Sequence, residues 1–375
     1  MFPGVAAVVG NSHKALAPQI IFDLVASERS PSITAQEIVP VHSLLGGNSA
    51  PVWADDRFAH SFLEEASLAP GKQTRPNLKI QEGCGNRCTF CVIPITRGPS
   101  RSLRRESVLR RLEDFVAAGG NELVLSGINL GRWGRESRNS ERDSLGNLVR
   151  SILECTALPR LRLSSIEPMD WDDELVELLH EHGGGRLCRH AHLPLQSGSD
   201  AVLRRMHRRY RPWHYADKVA ALVQAAGSSL TIGADVMVGF PGETDREFEQ
   251  TLDFVRALPF GYLHLFPFSP RPGTPGWDLH AKLLVPTAAV EERMDALRAL
   301  AVEKARTHRI RFVGRELPAI TLQTPASLAA RGCTEAITDN FIPVELDGEW
   351  PANQLFTARI TRLNSDGELV AYRTC

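Results

Sequence analysis

Three of the chain's seven cysteines fall in one short run, Leu78-Lys79-Ile80-Gln81-Glu82-Gly83-Cys84-Gly85-Asn86-Arg87-Cys88-Thr89-Phe90-Cys91. The spacing Cys84-x3-Cys88-x2-Cys91 puts three thiolates on a single loop. Three soft ligands that close together hold three corners of a [4Fe–4S] cube and leave one iron without a cysteine. Such an iron is open to a small chelating molecule, as the amino and carboxylate groups of S-adenosylmethionine would be. Gly83 and Gly85 let the backbone bend tightly around it. Two other readings of clustered cysteines fit less well. Structural zinc takes four protein ligands, often as paired C-x2-C units, and no second pair or finger-spaced histidine follows. A disulfide set suits a small secreted domain, whereas this chain has 375 residues.

That length allows two or three domains and a sizeable core. No apolar run approaches the ~20 residues of a membrane span. The N-terminal run Met1 to Gly10 has no basic region before its apolar stretch and makes a poor signal peptide. Free thiols in an open loop suit a reducing compartment, so a cytoplasmic location and no membrane association are expected. The net charge of −1 does not announce a nucleic-acid partner. Local charge does more: Arg97, Arg101, Arg104, Arg105, Arg110 and Arg111 are opposed only by Glu106. From Ala201 to Tyr215 there are five arginines and no acid, interleaved with Tyr210, Trp213 and Tyr215. Cations contact phosphates and flat rings stack on bases, although two solvated helix faces are the plainer interpretation.

Residues 1–66 read as a small α/β piece, with a strand at Val5–Val9 and helical spacing at Ala15–Ser27 and Arg57–Ala66. Asp55-Asp56-Arg57 and Pro70-Gly71 punctuate the approach to the next unit. From Leu78 to about Gly261, apolar strand-like runs alternate with helical patterns. Strands are expected at Leu78–Ile80, Glu122–Leu125, Arg160–Leu163, His190–Leu195, Leu230–Val238 and Tyr262–Phe266. Helices are expected at Arg105–Ala118, Leu145–Cys155, Asp172–Glu181, Asp200–Arg208, Tyr215–Ala226 and Asp245–Leu258. Repeated βα alternation implies a parallel sheet, and six repeats suit a curved, partial barrel. The polar and glycine-rich segments each follow a strand's carboxyl end, where parallel barrels carry their sites. A long helix at Glu291–Arg311 precedes five short strands, Ala319–Leu322, Glu335–Thr338, Ile342–Leu346, Phe356–Leu363 and Leu369–Tyr372, which suit a small β-barrel. The fold class expected is therefore α/β, with units at 1–66, 70–311 and 314–375.

The run Gly83–Ser102, GCGNRCTFCVIPITRGPSRS, resembles the cluster loop of radical S-adenosylmethionine (radical SAM) enzymes, and more narrowly that of the tRNA methylthiotransferases. Further matches are Ser126–Gly131, Ser164–Pro168 (SSIEP), His192–Asp200 (HLPLQSGSD), Asp235–Thr244 (DVMVGFPGET) and Phe268–Pro275 (FSPRPGTP). They cover about residues 70–310 in the family's order. The SSIEP and RGPSRS variants are similar to the branch that acts on threonylcarbamoyladenosine beside the anticodon.

The resemblance implies a partial (β/α)6 radical-SAM barrel, a TRAM-like RNA-contacting β-barrel at 314–375, and a transferase that methylthiolates tRNA at the anticodon stem-loop. It implies two molecules of S-adenosylmethionine per product and an electron donor such as flavodoxin or ferredoxin. Cys84, Cys88 and Cys91 would hold the cluster, and Phe90 would meet the adenine. Ser126 and Gly127 would reach the methionine amino group, and Ser165 and Glu167 the ribose or amino acid. A strand-end turn at Ser126 and a helix-start acid at Glu167 are the plain alternatives. Gln196-Ser197-Gly198 and Gly239-Phe240-Pro241-Gly242-Glu243 are expected as glycine loops that approach a ligand closely, and Arg208 as a basic group near the substrate mouth. His190 and His192 point to one face of their strand, as two satisfied barrel histidines or a paired metal site. Cys155, Cys188 and Cys333 read as small core residues, and Cys375 as incidental. The family's N-terminal domain carries three further cysteines for a second cluster. No cysteine precedes Cys84, so this domain is expected to be truncated and one cluster to be present. Two alternatives stay open: methylthiolation of a ribosomal protein, or an RNA-binding protein whose cluster is structural.

Overall fold

The computed structural model describes residues 7–10, 13, 16–27, 52–53, 74–136 and 143–374. The expected helix at Arg57–Ala66, the punctuation at Asp55–Arg57 and Pro70-Gly71, and Cys375 lie outside these residues. Near the N-terminus, strand β1 (Val8–Val9) pairs in parallel with β2 (Val52–Trp53), and a helix covers Ala17–Ser27.

The central unit is built on six parallel strands. These are β3 (Asn77–Glu82), β5 (Glu122–Gly127), β6 (Arg160–Leu163), β7 (His190–His192), β8 (Thr231–Val238) and β9 (Phe260–Pro267); a two-residue β4 (Arg101–Ser102) pairs antiparallel to β3. They form two ladders, β4-β3-β5-β6 and β7-β8-β9. The Cys188 N–H donates to Leu161 O and the Ile166 N–H to His192 O, which brings β6 beside β7. Among the described residues no ladder joins β9 to β3, so the sheet curves into an open barrel. Leu123, Leu125, Leu161, Ile232, Ala234 and Val236 are all buried, as parallel strands covered by helices require.

Helices Arg105–Ala117, Leu145–Cys155, Asp173–His182, Pro212–Ala226 and Asp245–Ala257 form the outer layer. Three carry side-chain caps that the sequence spells out. Ser144 accepts from Asn147 N, Asp172 from Leu175 N, and Thr244 with Glu247 makes a capping box. Two expected helices are shorter or longer than their periodicity suggests: Asp200–Arg205 stops before Arg208, and Pro212 opens the next helix three residues before Tyr215. A proline at the first helical position is already set for the helix.

A 24-residue helix, Thr287–Ile310, leads to the C-terminal part. There β10 (Glu316–Thr321), β11 (Cys333–Thr338), β12 (Pro343–Asp347), β13 (Leu355–Leu363) and β14 (Leu369–Thr374) close into a barrel in the order β10-β11-β12-β14-β13. Phe312, Leu317, Val344, Ile360 and Leu369 fill its own core.

The small barrel is seated on the amino-terminal end of the large one. Arg160 and Arg162 alternate with Leu161 and Leu163 on β6, and both arginines are 2% exposed. Arg162 donates to the backbone carbonyls of Thr338 and Asp339, and Arg189 forms a two-pronged ion pair with the buried Asp339 carboxylate. Behind them Glu122, fully buried, pairs with Arg160 at 2.5 Å and Arg162 at 2.9 Å. Burial would raise the Glu122 carboxyl, but Arg162, Arg160 and Arg75 more than offset this and hold it below the usual range. Phe341 enters the floor with φ of 65°, its ring centroid 4.4 Å from that of His190 and 5.6 Å from that of Tyr262.

Candidate functional site

The cysteine loop leaves β3 at Glu82 and is tied down at both ends. Gln81, fully buried, donates through Nε2 to the Gly83 carbonyl and Ser100 Oγ, while its Oε1 accepts from Asn129 N at 2.7 Å. Gly83 has φ of 72°, and a Cβ there would lie 2.0 Å from the Pro99 carbonyl oxygen, so only glycine fits this turn. Further along, the Thr89 N–H donates to Met206 O, and Thr89 O accepts from Gly276 N. Arg97 pairs with Glu82 at 2.9 Å across a five-residue helix, Ile93–Arg97.

Cys84, Cys88 and Cys91 are all free thiols and line one cavity of ≈ 220 Å³ with Asn86, Phe90, Asn129, Ser165, Glu167, Gln196, Arg208 and Asp235. The sulfurs receive N–H groups: Cys84 Sγ faces Asn86 N at 3.4 Å and Asn129 Nδ2 at 3.6 Å, and Cys88 Sγ accepts from Arg208 Nη1 at 3.2 Å. Arg208 also pairs with Glu167 Oε1 at 3.1 Å, and Asn86 Nδ2 donates to that same oxygen at 3.0 Å. Burial opposes the Arg208 charge, but Tyr210, Glu167 and Cys88 outweigh it and hold the guanidinium protonated. Burial pushes the Cys88 and Cys91 thiols up; Arg208 pulls Cys88 back toward the thiolate. Loading a metal here therefore releases protons.

The residues present fit a cluster with a bound S-adenosylmethionine. Three thiols on one loop offer the iron ligands. Two buried acceptors on the cavity wall, Asn129 Oδ1 and Gln196 Oε1, have no hydrogen-bond partner among the described residues. They suit a ligand that brings donors, such as an ammonium group and hydroxyls. Gln196 is held with φ of 66° by bonds from its own N–H to Asp235 O and from Met237 N to its carbonyl.

Several expected residues lie elsewhere. Phe90, Ser165, Glu167, Gln196 and Arg208 reach the cavity, but Ser126 and Gly127 do not line it. They are ladder residues of β5, opposite Lys79 and Gln81, and a Cβ at Gly127 would lie 2.9 Å from Gln81 Cβ. Of the two glycine loops, the first sends Gln196 to the cavity, while the glycines themselves pack on helices. Gly198 packs on Phe254 and Thr251, and Gly239 packs on Val290, each closer than a Cβ allows. Glu243 ties its loop to the long helix through Arg293 at 2.9 Å. Tyr210 and Tyr215 are fully buried and donate to the carbonyls of Leu195 and Leu193; Trp213 stays exposed. Arg205, Arg209 and Arg211 pair with Glu247, Asp170 and Asp200. The basic run is thus mostly spent on intramolecular pairs. Cys188 is buried, as expected of a core residue, but Cys155 is exposed at a helix end.

Asn86, Asn129 and Asp235 were missed. All three lie inside the matched runs Gly83–Ser102, Ser126–Gly131 and Asp235–Thr244, but a lone polar residue gives no periodic signal that singles it out. His190 and His192 do share a face: both reach the Tyr262 hydroxyl, at 2.8 and 2.9 Å. Asp235 faces His192 and His264. Burial would raise its carboxyl, and these two imidazoles more than offset that.

A barrel of six parallel strands, with a three-cysteine loop at its mouth, defines a radical SAM protein, and residues 78–255 match the Radical SAM superfamily. The chain is 36% identical over 276 residues to threonylcarbamoyladenosine tRNA methylthiotransferase MtaB of Bacillus subtilis (strain 168), covering 74% of this chain and 60% of that protein. It is also 36% identical over 264 residues to a tRNA-2-methylthio-N(6)-dimethylallyladenosine synthase of Cereibacter sphaeroides, covering 70% and 57%. Among solved structures, coproporphyrinogen III oxidase (HemN) from Escherichia coli aligns at 16% identity with a TM-score of 0.45, over 65% of this chain and 56% of that one. The chain belongs to the radical SAM methylthiotransferase family. It spans 54% to 62% of the length of the curated relatives it matches.

Proposed function

We propose that this chain is a transferase that methylthiolates tRNA, with N6-threonylcarbamoyladenosine beside the anticodon as substrate. The observation that carries the reading is the convergence of Cys84, Cys88 and Cys91 with Glu167, Gln196 and Arg208 on one cavity at the carboxyl ends of the barrel strands. The names of relatives such as MtaB from Thermotoga maritima, 37% identical over 245 residues, support this substrate.

Cys84, Cys88 and Cys91 would hold a single [4Fe–4S] cluster, which with S-adenosylmethionine supplies carbon-radical chemistry when reduced by a small electron donor. Asn129 and Gln196 offer their free acceptors to the bound cofactor. Glu167, held between Arg208 and Asn86, turns its carboxyl oxygens to hydroxyl or ammonium donors. Phe90 gives an apolar wall. The remaining cysteines of these 375 residues, Cys155, Cys188, Cys333 and Cys375, are dispersed, so one cube's worth of iron is expected. The units 1–66, 70–311 and 314–375 are read as an N-terminal α/β piece, the radical SAM domain and a tRNA-holding barrel, acting in the cytoplasm. Among the described residues no helix is long and apolar enough to cross a membrane.

The test is twofold. The anaerobically reconstituted protein should release 5′-deoxyadenosine from S-adenosylmethionine, and a Cys88→Ala variant should not. Mass spectrometry of tRNA nucleosides should show the 2-methylthio form of threonylcarbamoyladenosine disappearing when the gene is deleted. An unchanged nucleoside profile would overturn the substrate.

A further inference from the structure

One side-chain group inside the barrel lies beyond the cysteine loop. It joins three neighbouring strands: His192 on β7, Asp235 on β8 and His264 on β9. Their potential ligand atoms all lie within 4.8 Å of one another. Strand register explains the meeting, since Asp235 stands opposite His264 and His192 opposite Gly233. Gly233 leaves the space that the Tyr262 ring fills between them; a Cβ there would lie 2.0 Å from the ring.

Both imidazoles address the same oxygen. His192 Nε2 is 3.1 Å and His264 Nδ1 3.3 Å from Asp235 Oδ1. Zinc bonds of about 2.0–2.1 Å to nitrogen and oxygen put two tetrahedral ligands about 3.3 Å apart, so these edges already have the right length. The other nitrogen of His192 is fixed from behind. Its Nδ1 lies 2.9 Å from Tyr262 Oη, which lies 2.8 Å from His190 Nε2. When Nδ1–H donates to Tyr262 and the Tyr262 hydroxyl donates to His190, Nε2 presents a lone pair toward the carboxylate. That disposition, one ring nitrogen hydrogen-bonded and the other turned to a carboxylate, is how a metal-binding histidine is oriented. Two hydrogen bonds to one carboxylate would satisfy the imidazoles as well. They do not require His192 to be held from the far side by a tyrosine and a second histidine.

We propose that His192, Asp235 and His264 form a site for one divalent transition metal of the zinc class, separate from the cysteine triad. Two nitrogens and one carboxylate oxygen make a three-ligand set that leaves a fourth position for water or an anionic donor. Asp235 also lines the cysteine-loop cavity, so the two sites share a wall. His264, with 61% of its side chain exposed, gives the metal a route from solvent.

The experiment uses the cluster-loaded full chain dialysed against zinc sulfate in a weak chelator buffer, with zinc and iron counted together by mass spectrometry. About one zinc per chain is expected beyond the iron. His264→Ala and Asp235→Asn should each weaken zinc binding at least about tenfold with the iron count unchanged. A Cys84→Ser/Cys88→Ser/Cys91→Ser variant should lose iron and keep zinc. X-ray absorption at the zinc edge should show nitrogen and oxygen near ~2.0 Å and no sulfur near ~2.3 Å. The proposal is overturned if zinc departs with the cysteines, if sulfur appears in its shell, or if His264→Ala leaves zinc affinity unchanged. Because His264 is exposed, loss of zinc in His264→Ala with an unaltered melting temperature reads binding and not folding.

Discussion

Arg208 Nη1 lies 3.2 Å from Cys88 Sγ, and the same guanidinium pairs with Glu167. A buried cation on a cluster sulfur favours the more negative, reduced state and so raises the reduction potential. Arg208→Gln should therefore make the potential more negative, on the order of 60 mV, a roughly tenfold change for one electron. A redox titration followed by electron paramagnetic resonance measures it. A potential unmoved by the substitution would show that the contact carries no electrostatic weight.

The Gly233–Tyr262 contact leaves no room for a methyl group. Gly233→Ala must push the Tyr262 ring off the strand and break its bonds to His190 and His192. A cost of about 1–3 kcal/mol is expected, as for other overpacked sites. Urea denaturation measures it, and the imidazole proton resonances should shift with it. Wild-type stability combined with unshifted resonances would contradict the packing described.

Glu122 neutralises two arginines that are themselves almost wholly buried. Glu122→Gln removes the charge and leaves both guanidiniums uncompensated. Breaking a buried ion pair from one side costs about 3–5 kcal/mol. Because Arg160 and Arg162 also hold the Ile337, Thr338 and Asp339 carbonyls, limited proteolysis should release the small barrel sooner in this variant. Equal proteolysis rates would show that the docking does not depend on Glu122.

His308 is buried at the end of the long helix, its Nε2 2.8 Å from Thr231 Oγ1. Burial, with Arg311 and Arg309 nearby, lowers its pKa from 6.5 to about 4. The unfolded chain then binds the proton more readily than the folded one. The fold keeps its full stability above pH 6.5 and loses it as pH falls from there toward 4, by roughly 3 kcal/mol at most. His308→Gln should flatten the dependence of the urea midpoint on pH across that window. A slope identical to wild type would exclude His308 as the titrating group.

The parts of this architecture that repeat were legible in the chain. Leu145–Cys155 and Arg160–Leu163 begin and end where their apolar spacing places them, and the five C-terminal strands lie between glycine and Asx turns. That Cys84, Cys88 and Cys91 share one loop was legible from their spacing, and the structure brings all three to one cavity. What was not legible depends on distant partners. The Ile93–Arg97 helix and β4 are too short to show a period. Arg162 reads as a surface cation until Glu122 and the Asp339 carbonyl are seen around it. Tyr210 looks like a base-stacking ring until its hydroxyl is found on the Pro194 and Leu195 carbonyls. Asp235 opens the run DVMVGFPGET, but its role comes only from His192 and His264 across two ladders.

The turn Thr338–Phe341 closes one barrel and stoppers the other. A stopper is specific to its bottle. Exchange of the C-terminal barrel between relatives should succeed only when the donor brings an acid that meets Arg189 and an aromatic ring that meets His190. Where those two positions differ, the graft should leave the lumen of the large barrel open to water from below, however well each barrel folds by itself.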